Sequence, residues 1–331
     1  MEIMGLIADR RAETERRLGS LRERLDVAET LIDDNGCVYL TGSFARGEAS
    51  RHSDLDLFIV GRDEPDGDTS QRLLPRLDEI CIKAELIRAT RDVRIPEFSG
   101  DGQYLVHYTI DDLVRTLGRP EDDANNTFTA RILLLLESKP LLGREVHSEA
   151  VKAVLKAYWR DYEDHRNAFV PAFMANDILR MWRTFCVNYE ARTQTEPEQR
   201  KAKRKLKNYK LKHSRLLTCY SAIAFLSAFF RRNGTVGPQD AETMVRMTPT
   251  ERLEWIRDDG DVGGASVVED LLCCYEQFLA ITDESEDTLV AKFMDAEKRA
   301  AFPDASRLGE LMAKLLVEIG DGSQFHRLLL V

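Results

Sequence analysis

Apolar and polar positions change period along this 331-residue chain, and the change divides it. Residues 1–34 are dense in Glu and Arg, with Leu18, Leu21, Leu25, Ala28 and Leu31 at helical spacing and Asp34-Asn35-Gly36 as a stop. Cys37-Val38-Tyr39-Leu40 then reads as a buried strand over 37–41, ending in a tight turn at Gly42-Ser43 with a short helix behind it. Ten residues after Ser43 comes Ser53, followed by Asp54-Leu55-Asp56-Leu57-Phe58-Ile59-Val60, a second strand that opens with alternating acidic and apolar positions. The polar stretch 62–68 reads as a loop, Thr69 or Ser70 as a cap, and 71–89 as a helix. Further strands are expected at 92–95 and 104–108, and 133–136 reads as buried helix.

From about residue 147 the period is helical almost throughout, at roughly 148–168, 172–193, 203–232, 238–247, 249–258, 266–281, 287–299 and 304–319. Thr248-Pro249-Thr250-Glu251 forms a capping box with proline at the first helical position, and Asp304 and Gly320 bracket the last long helix. The pattern gives an α+β chain of two domains, a mixed α/β part over 1–145 and an all-helical part over 146–331.

Net charge is −10, which argues against general attraction to nucleic acid. No apolar run approaches the roughly 18 residues of a membrane span, and the first residues lack a secretory apolar region, so a cytoplasmic protein without membrane contact is expected. The six cysteines, at 37, 81, 186, 219, 273 and 274, lack zinc-ligand spacing. No Ser–His–Asp order or dinucleotide fingerprint is present either.

Chemistry concentrates at residues 41–61. Side chains alternate along a strand, so Asp54 and Asp56 face one way about 7 Å apart while Leu55 and Leu57 face the core. Two such carboxylates repel unless a cation lies between them, and Mg²⁺ favours a few carboxylates plus phosphate oxygens. Gly42 lets backbone approach a phosphate closely, and Ser43 adds a hydroxyl donor. Gly42-Ser43, a spacer and then Asp54-Leu55-Asp56 resembles the signature of the DNA polymerase beta-type nucleotidyltransferase superfamily, over roughly residues 36–61.

The resemblance implies a nucleotidyltransferase core with a short mixed sheet, followed by a helical domain. It implies two Mg²⁺ ions on Asp54 and Asp56, an NTP whose phosphates meet Gly42 and Ser43 with Arg46 or Arg51 assisting, and release of pyrophosphate. It also implies a third carboxylate from a later strand, for which Asp92 ranks first and Asp101 second; the strand at 104–108 carries no acid. A second, looser similarity, over 104–143, is to the uridylyltransferases that modify the nitrogen-regulatory signalling protein, and it implies a protein or small-molecule acceptor.

In the helical part, Arg200 to Arg215 carries Lys201, Lys203, Arg204, Lys205, Lys207, Lys210 and Lys212 in an otherwise acidic chain. Such a run is commonly a solvated face, with Lys203, Lys207, Lys210 and Ser214 as one stripe. A nucleotidyltransferase needs cations for the triphosphate, and related enzymes draw Lys and Ser from the helical domain, which makes Lys207, Lys210, Lys212, Ser214 and Arg215 candidate phosphate contacts. RNA backbone is the weaker alternative, because few aromatics are at hand for base stacking. Asp177, Arg180 and Thr184 share one helix face beside Arg183, where an Asp–Arg helix pair is an equal explanation. His165 reads as an ordinary helix-surface residue, with a base or a substrate contact as the functional alternatives. The function expected is Mg²⁺-dependent transfer of an NMP from NTP to a hydroxyl acceptor. The alternatives are a weakly active or inactive nucleotide-binding sensor and an oligonucleotide synthase using NTPs alone.

Overall fold

A computed structural model describes residues 5–66, 69–96, 98, 105–190, 198–300 and 302–330. The chain separates into two compact units, one comprising Ile7–Tyr158 and the other Trp159–Val331 with the first six residues.

The first unit is built on a four-stranded mixed sheet of order β5-β2-β1-β6. β1 (Gly36–Thr41) and β2 (Asp56–Gly61) are antiparallel, with Gly36 opposite Gly61 and Thr41 opposite Asp56. β6 (Lys139–Leu142) joins β1 antiparallel, and β5 (His107–Thr109) joins β2 parallel, with Ile59 opposite His107. Two strands, β3 (Asp63–Asp66) and β4 (Thr69–Arg72), form a separate hairpin. The helices of this unit are α1 (Leu6–Arg22), α2 (Asp26–Ile32), α3 (Gly42–Ala45), α4 (Arg76–Asp92), α5 (Ile110–Arg115), α6 (Glu121–Ala124), α7 (Thr127–Leu136) and α8 (Arg144–Tyr158).

Strand alternation gives the sheet two covered faces. Val38, Leu40, Leu57 and Ile59 pack with Leu18, Leu21, Leu25, Ile32, Ile82 and Leu86 in one apolar core. On the other face Tyr39 stacks on Phe58 at 5.5 Å and lies 5.8 Å from His147 of α8, while its hydroxyl donates to the Ala130 carbonyl of α7 at 3.0 Å. Burial pushes the Tyr39 phenol well above its usual range. α7 and α6 are joined by a wholly buried ion pair: Arg131 Nη1 and Nη2 donate to Asp122 Oδ1 and Oδ2 at 2.7 and 2.6 Å.

The helical unit contains α9 (Ala172–Glu190), α10 (Glu198–Lys210), α11 (Leu216–Asn233), α12 (Pro238–Arg246), α13 (Pro249–Asp258), α14 (Ala265–Ile281), α15 (Glu286–Met294), α16 (Ala296–Arg299), α17 (Ala305–Gly320) and α18 (Gln324–Leu330). Thr248 caps α13 as expected, its hydroxyl accepting from Glu251 N and its own N–H donating to Glu251 Oε2 at 2.7 Å. Asp304 caps α17 through Ser306 N at 2.9 Å.

Several boundaries differ from the sequence expectation. The first helix is two, because the chain turns at residues 23–25 and drives Leu25 into the core. The second strand starts at Asp56, leaving Asp54 and Leu55 ahead of it. The loop at 62–68 and the Thr69 or Ser70 cap are replaced by the β3–β4 hairpin, and the next helix waits for Pro75. A proline disfavours helical backbone at the residue before it, which delays the start to Arg76. That helix then runs through Asp92, and Arg94 turns the chain with φ +56°, so the strand at 92–95 is helix end and turn. The helix at 203–232 is interrupted by a π-helical turn at Leu211–Arg215.

Candidate active site

The Gly-Ser turn sits where β1 ends and β2 begins. Gly42 opens α3 with φ +68°, a left-handed conformation that costs residues with a side chain about 1–2 kcal/mol. The close approach is to Asp56: a Cβ added at Gly42 would lie 2.5 Å from Asp56 Oδ2. Antiparallel pairing of Thr41 with Asp56 produces that juxtaposition. Glycine is required here twice over, for the backbone angle and for room beside a carboxylate.

The segment in front of Asp54 is fixed by its own hydrogen bonds. Ser50 N donates to Ser53 Oγ at 3.0 Å, Ser53 N to the Ser50 carbonyl at 3.0 Å, and His52 N to Ser50 Oγ at 3.1 Å. Arg17 of α1 donates to the Ser50 carbonyl and lies over the Phe44 ring at 4.8 Å. Asp54, Asp56 and Ser43 are each half-buried, accessible to solvent yet positioned by folded backbone.

Below the turn lies a buried ionic cluster. Gly42 N donates to Glu137 Oε1 at 3.1 Å; Arg46 Nη1 donates to Glu137 Oε2 at 2.9 Å and Arg46 Nε to Glu48 Oε2 at 2.8 Å. Arg46 therefore does not reach out as the phosphate contact expected of it; its guanidinium is buried and committed to two carboxylates. Arg51 is exposed and donates to His52 Nε2 at 3.0 Å.

Asp92 does not join Asp54 and Asp56. It is the exposed last residue of α4, and among the described residues no three His, Cys, Asp or Glu side chains converge as a metal-binding group. Asp101 lies outside the described residues. The pair Asp54 and Asp56 fits a hard divalent cation in the nature of its donors, which are carboxylate oxygens on two half-buried side chains.

In the helical unit, Lys207 and Lys212 are exposed, whereas Lys210, Ser214 and Arg215 are half-buried. Arg215 lies over the Phe185 ring at 5.3 Å, and Ser214 Oγ is 3.5 Å from the Tyr275 hydroxyl. Lys203 pairs with Glu286. Arg180 and Asp177 face each other at 3.8 Å and Thr184 donates to the Arg180 carbonyl, so this group reads as an internal helix pairing. His165 is an exposed residue of a short 3₁₀ turn. Sequence reading missed Glu137 and Glu48; the signal for Glu137 was a lone acid directly after an apolar helix, where burial demands partners.

Residues 21–130 match the family model described as a nucleotidyltransferase domain, about a third of the chain. The matched stretch contains Gly42, Ser43, Asp54 and Asp56, and the mixed sheet followed by helices agrees with a polymerase beta-type nucleotidyltransferase domain. It supports transfer of a nucleoside monophosphate as the general chemistry of that stretch. No curated protein and no solved structure matches the chain. Among the described residues no helix is long and apolar enough to cross a membrane.

Proposed function

We propose that this protein transfers a nucleoside monophosphate from an NTP to an acceptor hydroxyl, with pyrophosphate as the second product. The observation that carries the proposal is the seating of Asp56 against a glycine with no room for a side chain, Asp54 two residues ahead, inside a stretch that matches the nucleotidyltransferase domain. Asp54 and Asp56 would hold Mg²⁺ through their carboxylate oxygens. Bound Mg²⁺ supplies Lewis acidity and neutralises charge at the phosphates. Ser43 offers its hydroxyl to a phosphate oxygen, and Gly42 lets the backbone come close. Arg51 is an exposed cation proposed to contact the triphosphate. The acceptor is proposed to be a protein or small molecule, in a cytoplasmic setting.

The test is pyrophosphate release with Mg²⁺ and each of the four NTPs, first alone and then with cell extract. Release that needs extract, and is abolished in D54N/D56N with the circular dichroism spectrum retained, is the expected result. Undiminished release by the double variant would sink the mechanism. Release from NTP alone points instead to oligonucleotide synthesis or self-modification. A second reading, a sensor that binds NTP without turnover, is favoured by the absence of a converging third acid among the described residues. It requires NTP binding with no pyrophosphate under any condition.

A further inference from the structure

Glu137 ends α7, seven residues beyond the stretch that matches the nucleotidyltransferase domain. Its side chain is fully out of solvent, and its two oxygens face two donors, Gly42 N–H at 3.1 Å and Arg46 Nη1 at 2.9 Å. Two donors need two acceptors, and a carboxylate is the side chain that provides both in one plane; a glutamine of the same shape must turn its NH₂ toward one of them. Arg46 is steadied from its other side by Glu48, whose own N–H donates to the Ser43 carbonyl at 2.8 Å. The chain of contacts is short: Glu137 fixes the Gly42 amide, and Gly42 sets the wall against which Asp56 Oδ2 rests.

We propose that Glu137 is a positioning residue for the nucleotide site, acting through the Gly42 amide to hold the Gly42–Ser43 turn against Asp56; the inference rests on the nucleotidyltransferase reading given above. Glu137 occupies the Gly42 N–H before any nucleotide arrives. The turn is thus preset by the protein, and phosphate contact falls to groups other than that amide.

Glu48 supplies the control, since its side chain joins the same buried cluster through Arg46 and has no bond to Gly42 N–H. E137Q and E48Q both disturb the cluster and lower the melting temperature. Calorimetric titration with Mg²⁺ and the tightest-binding of the four NTPs separates the roles. The expected result is a dissociation constant raised at least tenfold in E137Q and within twofold of wild type in E48Q. Equal affinities in E137Q and wild type, or equal losses in both variants, would overturn the inference while leaving the nucleotidyltransferase reading intact. A wild type that binds none of the four NTPs overturns that reading and this inference with it. If E137Q does not fold, amide hydrogen exchange on the wild type decides. The Gly42 amide is expected to be protected without nucleotide; free exchange that slows only when NTP is added would show that the nucleotide, and not Glu137, is its partner.

Discussion

Replacing Gly42 by alanine tests the geometry of the site directly. Two effects are separable in the structure. The left-handed backbone at φ +68° costs an alanine about 1–2 kcal/mol, which for a unit of this size lowers the melting temperature by about 2–8 °C. The new Cβ also meets Asp56 Oδ2 at 2.5 Å, where ordinary contact begins at 3.4 Å, so the carboxylate or the turn must yield by roughly 0.9 Å. A displacement of about 1 Å in a group that aligns reacting atoms costs on the order of 10²-fold in rate. G234A isolates the first effect: Gly234, which caps α11, has φ +71° and nothing within 4 Å of an added Cβ. Thermal melts and pyrophosphate release per folded molecule should show both variants destabilised and G42A alone slowed about a hundredfold. A G42A protein working within threefold of G234A would refute the argument that Asp56 must stand where Gly42 leaves room.

Three further outcomes follow from other parts of the molecule. D122A strips the wholly buried Arg131 guanidinium of its bidentate partner and should cost about 3–5 kcal/mol in urea unfolding; a loss under 1 kcal/mol would mean that the site collapses or takes in water. Burial, with Arg144 nearby, pushes the His147 imidazole down to about 4. Between that value and its unfolded value near 6.5 only the unfolded chain takes up the proton, so stability is complete above pH 6.5 and falls as pH drops toward 4, by roughly 3 kcal/mol from this residue. The fall should be smaller in H147Q, and identical slopes in the two proteins would show that His147 is not responsible. R51E should raise the KM for NTP about tenfold with kcat little changed; an unaltered KM would leave Arg51 with its His52 contact alone.

The α+β class of this chain and its nucleotidyltransferase-like motif were legible in the sequence, the bounds of single elements less so. Gly42-Ser43 and Asp54-x-Asp56 stand out because each residue type answers a local demand, and the structure places them at the touching ends of two paired strands. The buried strand 37–41 and the Thr248 box were likewise visible from neighbours in sequence. What escaped depends on distant partners. Glu137 acquires its meaning only from residues about ninety positions away. Val93 and Ile95 have the β-branched character of a strand, yet the end of α4 claims the segment and Ile95 N–H donates to the Thr90 carbonyl. The Lys203, Lys207, Lys210 and Ser214 stripe assumed uninterrupted 3.6-residue periodicity, an assumption broken at Leu211–Arg215.

That wide turn also bears on how the helix can vary. A π-helical turn accommodates one residue more than the α-helix it interrupts, so it acts as a phase shift of about 100° in the wheel of everything beyond it. From Leu216 to Ala228 every residue of α11 but Tyr220 is buried, so each face beyond the turn has packing to lose. Removing one residue from Leu211–Arg215 would straighten the helix and rotate that whole set away from its partners, even though each remaining side chain is unchanged. Here the length of the segment is under stricter control than its composition.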